Sequence, residues 1–170
     1  MRRMLTPIVR EAPELTSAHE VLGLAQYRLG NWRQAVVELE AFRTQSGGAT
    51  THHAVLADCY RAMRKHAQVE ALWDELRQAS PSAALVAEGR IVMAGSLADR
   101  GQVDKAIEML QQHDRMPARV RDHHLRLWYV LADLYDRNGD VTKARALFSR
   151  VRVQDPEFAD VTDRLRNLGA

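Results

Sequence analysis

The sequence predicts an all-α fold of stacked antiparallel helix pairs, and three observations predict it. First, the chain resembles itself at a fixed interval. Gly30 and Arg64 lie 34 residues apart, and around them Leu22-Gly23 aligns with Leu56-Ala57, Ala35 with Val69, Leu39 with Trp73 and Phe42 with Leu76. Self-similarity at a period of roughly 20–50 residues marks a repeat architecture. Second, apolar residues recur at helical spacing throughout, and no stretch alternates with the two-residue period of a strand. Third, Gly30, Gly101 and Gly139 fall where a first helix should end, and Pro81 and Pro156 where a second one should.

The elements follow in order. Pro13 stands 34 residues before Gly47 and 68 before Pro81, at the repeat-closing position. Met1, Leu5 and Ile8 then take second-helix core positions, so residues 1–15 read as a half repeat or an N-terminal cap helix. The chain thus begins in mid-repeat, as a fragment of a longer protein or with one helix capping the stack. Copy one spans 16–49 and copy two 50–83, where Arg64 replaces the usual glycine at a strain cost on the order of 1 kcal/mol. Copy three, 84–121, has Met93-Ala94, Gly101, Ala106 and Leu110 but no signature aromatics. Spacers flank it near Ser82–Val86 and Met116–Arg121.

Copy four, 122–156, is the most regular, with Trp128, Leu131-Ala132, Tyr135, Gly139, Ala144, Phe148 and Pro156. The large-small pair lets a neighbouring helix approach, and a small residue followed four later by a large one stacks both on one face. In 157–170, Phe158, Val161, Leu165 and Leu168 share a stripe, starting from Pro156 and ending at Gly169. Glu157, Asp160, Asp163, Arg164 and Arg166 fall largely outside it. That pattern predicts a polar-backed capping helix. The predicted core contains Leu22, Ala35, Leu39, Leu56, Trp73, Ala106, Leu110, Leu131, Ala144 and Phe148.

Composition bounds the function. A chain of 170 residues with 46% hydrophobic and 27% charged content is an ordinary globular domain. Cys59 is its single cysteine, which favours a reducing compartment. The N-terminus lacks an apolar run of signal-peptide length, and nothing approaches the ~20 apolar residues of a membrane span. The expected location is the cytoplasm, with no membrane contact. A net charge of +2 makes no strong case for nucleic acid.

Motifs for catalysis are missing, and the chain is expected to be no enzyme and to need no cofactor or metal. Ser46-Gly47-Gly48-Ala49 lacks the lysine and hydroxyl of a phosphate loop, and there is no H-E-x-x-H, G-x-S-x-G or C-x-x-C. His52-His53 and His123-His124 each open a first helix, but adjacent helical residues diverge by about 100° and form no metal-binding face. They read as solvated or partly packed imidazoles. Cys59 sits at a core-facing position and reads as a small buried hydrophobe. The stretch His113–Arg126 is the most basic and reads as a solvated inter-repeat loop. Its functional alternative is an anion or nucleic-acid contact through Arg115–Arg126.

The pattern W-x2-L-A-x2-Y-x3-G-x4-A-x3-F-x7-P from Trp128 to Pro156 resembles a tetratricopeptide repeat at every signature position. The resemblance extends over essentially the whole chain and implies a tetratricopeptide-type α-solenoid with a C-terminal capping helix. In layout the chain also resembles uncharacterised tetratricopeptide proteins of high-GC bacteria, in which further residues precede this region. The family implies a protein-interaction module or scaffold, in which first helices line a concave groove holding a peptide or helix.

Carried through the repeat register, the resemblance places Glu20, Leu24, Tyr27, Arg28, Asp58, Arg61, Ile91, Gly95, Ala98, Asp99, Tyr129, Asp133, Asp136 and Arg137 on that groove. The small side chains of copy three imply a depression beside Ile91 and Tyr129. Clamp positions for a chaperone's terminal carboxylate hold Glu20, Leu24 and Val55, which do not suit it. The alternatives are self-association through the N-terminal edge and a nucleic-acid-linked role for the basic segment.

Overall fold

In the computed structural model, residues 14–169 are described. They form nine α-helices: α1 (Thr16–Arg28), α2 (Trp32–Gln45), α3 (His53–Ala62), α4 (His66–Ala79), α5 (Ala83–Asp99), α6 (Val103–Gln111), α7 (Asp122–Arg137), α8 (Val141–Gln154) and α9 (Val161–Asn167). No strand occurs among the described residues. The half repeat or cap helix expected over 1–15 lies outside them, apart from Glu14 and Leu15. None of the described helices is long and apolar enough to cross a membrane. The chain divides into two compact units after Val92, within α5.

In the first unit α1 pairs with α2 and α3 with α4, while α2 also packs on α3. Leu22, Ala35, Leu39, Leu56, Val69, Trp73 and Leu76 are buried between them. Each side chain of this size contributes roughly 1.5–3 kcal/mol by leaving water, so packing outweighs local propensity here. Gly23 is the small partner that lets α2 approach α1: a Cβ there would lie 2.8 Å from both Cγ and Cδ2 of Leu39. The α1–α2 turn runs through Gly30 at φ +72°. At the matching α3–α4 turn Arg64 itself adopts φ +58°, the left-handed conformation the repeat imposes.

In the second unit α6 packs on α7, α7 on α8 and α8 on α9. Its core holds Ala106, Leu110, Trp128, Leu131, Ala144, Phe148, Val161 and Leu165. All ten residues of the predicted core, across the two units, are buried.

The structure departs from the sequence reading in two places, at the start of copy three and at the last helix. The first spacer of copy three is largely helix: α5 starts at Ala83, with Ser82 Oγ accepting the Leu85 N–H at 3.2 Å in the manner of an N-cap. The second spacer, Met116–Arg121, lies in a loop over 112–121, as the sequence reading expects. Finally, α9 starts at Val161 and not after Pro156. Asp155 Oδ1 accepts the Glu157 N–H, and Ala159 sits at φ +49°, so residues 155–160 form a turn first.

Candidate functional site

The candidate surface is the face of the first helices, and each unit carries its own share. In the first unit, α1 presents Glu20, Leu24, Tyr27 and Arg28, and α3 presents Asp58 and Arg61. Their polar groups are already joined. Tyr27 Oη donates to Asp58 Oδ2 at 2.8 Å, and Arg61 Nε donates to Asp58 Oδ1 at 2.9 Å. Burial and the Asp58 carboxylate push the Tyr27 phenol well above its ordinary range, so it remains a donor. The Tyr27 ring meets Trp32 edge-on at 5.6 Å. Glu20 Oε1 lies 2.7 Å from His52 Nε2. Leu24 is half-buried and Arg28 exposed. Ile91, on α5, is half-buried in the same unit.

In the second unit, the end of α5 carries Gly95, Ala98 and Asp99, and α7 carries Tyr129, Asp133, Asp136 and Arg137. Gly95 and Ala98 are half-buried and Asp99 is exposed. The α7 residues are engaged by the last helix and the turn before it. Arg164 of α9 donates to Asp133 Oδ1 at 2.7 Å and to Asp136 Oδ2 at 3.0 Å. Its guanidinium also lies 5.0 Å from the Phe148 ring centroid. Asp133 pairs a second time with Arg137 at 2.7 Å. Tyr129 donates to Asp160, and its ring contacts Phe148 and Phe158. Burial, followed by the Asp160 carboxylate, pushes the Tyr129 phenol up to about 12.

The histidines of the first unit belong to helix packing. His19 Nδ1 lies 2.7 Å from Glu38 Oε2, which ties α1 to α2. His53, 1% exposed, lies 2.9 Å from Glu75 Oε2 and ties α3 to α4. Arg43 reaches the same Glu75 oxygen at 2.6 Å, and Tyr60 donates to Glu40 at 2.9 Å. The sequence reading missed these bridges. Their partners stand 19, 22, 32 and 20 residues apart, and no short motif records such spacings.

The His123 and His124 ring centroids lie 4.0 Å apart with the planes tilted by 38°, and burial, then the His124 and Arg121 charges, hold His123 below its ordinary range. The basic loop is anchored through the Asp114 carbonyl, which accepts Trp128 Nε1 at 3.0 Å and Arg150 at 2.7 Å. Arg115, Arg119 and Arg121 point into solvent.

Helix pairs joined through left-handed turns, with small residues at the close approaches, define an all-α helical repeat protein. Residues 97–166 match the tetratricopeptide repeat family. The chain as a whole is similar in fold to a solved structure, the thermophilic TPR protein TTC0263 of Thermus thermophilus. The two are 20% identical, the match covers 98% of this chain and 88% of that one, and the TM-score is 0.72. Among curated proteins none is similar to this chain. Residues 97–166 thus carry tetratricopeptide repeat sequence, and the chain shares the fold of that solved repeat protein. Members of that family are generally protein-interaction modules and typically non-catalytic.

Proposed function

We propose that this chain is a protein-interaction scaffold that takes a peptide or amphipathic helix on the faces of its first helices. The observation that supports this most is the Tyr27–Asp58–Arg61 arrangement beside Leu24 and Arg28. Tyr27 and Arg61 are held on Asp58, and the same helix α1 carries half-buried Leu24 and, one turn on, exposed Arg28. A partner docking there meets donors and acceptors already held in place, so little side-chain freedom is lost on binding. Its apolar anchor would rest on Leu24, and a carboxylate on Arg28 would set its direction. The second unit offers its own candidate surface, a small-sided stretch at Gly95 and Ala98 of the same helix-face type.

The test is recovery of a partner from native extract by wild type and three variants: Leu24→Arg, Ala98→Arg, and Arg119→Ala combined with Arg121→Ala. Arginine suits a helix, so the two helix variants should fold. Loss of the partner with either of them supports the reading. Loss with the loop variant alone would move the site to the basic segment and sink it.

A further inference from the structure

The outer side of the first helix pair carries a cavity of about 290 Å³. Leu22, Gln26 and Glu38 line its floor, and Arg33, Gln34 and Val37 its rim. Val37, at the edge of this cavity, is 65% exposed.

The chain's own repeats show what such a face receives. The face of α3 that matches it, 34 residues on, carries Leu56 and Tyr60, and α2 packs on α3. Leu56 is buried there, and Tyr60 donates to Glu40 of α2 at 2.9 Å. The arrangement recurs in the second unit, where α6 packs on α7 and α8 on α9. In each case the incoming second helix bears a buried small residue and a buried large one four positions later. These are Ala35 and Leu39 in α2, Ala106 and Leu110 in α6, and Ala144 and Phe148 in α8. Of these first-helix faces, that of α1 lacks a described second helix before it.

Moving back one period from Leu39 and Phe42 of α2 reaches Leu5 and Ile8, and from Glu40 reaches Thr6. The segment 1–13 therefore carries a large apolar side chain, Leu5, at the large position of that pair, with Ile8 three residues on, Met1 where α2, α6 and α8 have alanine, and Thr6 in register with Gln26. It is also covalently joined to α1, so its local concentration at the face exceeds that of any free partner, as for linked modules. We propose that the outer face of α1 and α2 is a docking site for a second-helix-like segment, and that residues 1–13 of this chain are its occupant. A second copy and a foreign helix are the competing occupants.

The test uses the full chain with Gln34→Cys carrying a nitroxide on the cavity rim. Cys59 is buried and does not take the label. The expected result is loss of amide NMR signal for residues 1–9 in a dilute, uniformly labelled sample, with recovery of that signal when Leu5→Asp is added. Three results would each overturn the proposal. One is loss of signal only in a mixture of isotope-labelled and spin-labelled molecules, which assigns the face to a second copy. The second is full signal for residues 1–9 throughout, which leaves the face to a foreign helix. The third is loss of signal that survives Leu5→Asp, which shows proximity without apolar docking. None of these readouts involves the inner faces of the first helices, so the interaction reading above stands or falls separately.

Discussion

Replacing Arg164 tests how the second unit is closed. The guanidinium bridges Asp133 and Asp136 and lies over Phe148. The side chains are 23%, 18% and 33% exposed, between a surface pair and a buried one. Surface pairs contribute about 0–1 kcal/mol, whereas breaking a fully buried pair costs roughly 3–5 kcal/mol. Asp133 keeps Arg137 in the variant, which softens the loss. Contact between a guanidinium and a ring adds about 0.5–1 kcal/mol. Arg164→Ala should therefore destabilise by ~2 kcal/mol, and Arg164→Met by about half that, since its stem still covers Phe148. Urea unfolding gives the totals, and hydrogen exchange should show protection lost first in α9, because repeats contact only their neighbours. Asp136→Asn should then cost less in the Arg164→Ala background than in wild type. A loss below about 0.5 kcal/mol for Arg164→Ala, with α9 still protected, would mean an ordinary surface pair and refute the bridging account.

Four further outcomes follow from particular residues. Arg64→Gly should raise unfolding stability by up to about 1 kcal/mol, because φ +58° is free of strain for glycine; unchanged or lower stability would count against strain at that turn. Trp73→Ala should cost about 3–5 kcal/mol in urea unfolding, since the ring is buried beneath Arg90; below roughly 1 kcal/mol the ring's packing would be immaterial. Burial, then the Asp58 charge, pushes the Cys59 thiol up to about 12, so native protein at about pH 8 should resist alkylation and unfolded protein should not. Burial alone would raise the Glu75 carboxyl, but the His53 hydrogen bond and the Arg43 charge outweigh it and hold it below its ordinary range. Its contribution is present above the unfolded value and lost as pH falls through the folded one. Glu75→Gln should thus flatten the acid side of a stability profile recorded from about pH 6 downward, and an unaltered slope would contradict it.

The backbone plan was legible because the repeat states it several times. Leu39, Trp73, Leu110 and Phe148 hold one position in four copies, and the same physical demand buries each. Arg64 could be assigned a left-handed turn only by comparison with Gly30, Gly101 and Gly139, since arginine gives no such signal by itself. What the period could not convey lies in contacts between different copies. Arg164 falls outside the apolar stripe of the last helix, and by pattern it belongs in solvent. Only the stacking of α9 beside Asp133 and Asp136 makes it a bridge. Glu75 and His53 likewise occupy unremarkable helix positions until α2, α3 and α4 bring Arg43, His53 and Glu75 together. The start of α9 escaped because the Asp155 side chain holds a local turn that competes with helix, and Ala159 follows it in a left-handed conformation that alanine does not signal.

These contacts bear on where binding energy can arise. On the first-helix faces Asp58, Asp133 and Asp136 already accept from Tyr27, Arg61, Arg137 and Arg164. A partner that took over one of these carboxylates would leave its present donor unpaired, and the exchange would gain little. The net gain lies where a side chain has water to lose and no bond to break. Leu24 and Ala98 meet that condition through apolar area, and Arg28 offers an exposed charge at the edge of the first-unit face. If a partner docks on these faces as proposed, its affinity should follow the apolar side chains, with the carboxylate network fixing the shape into which it must fit.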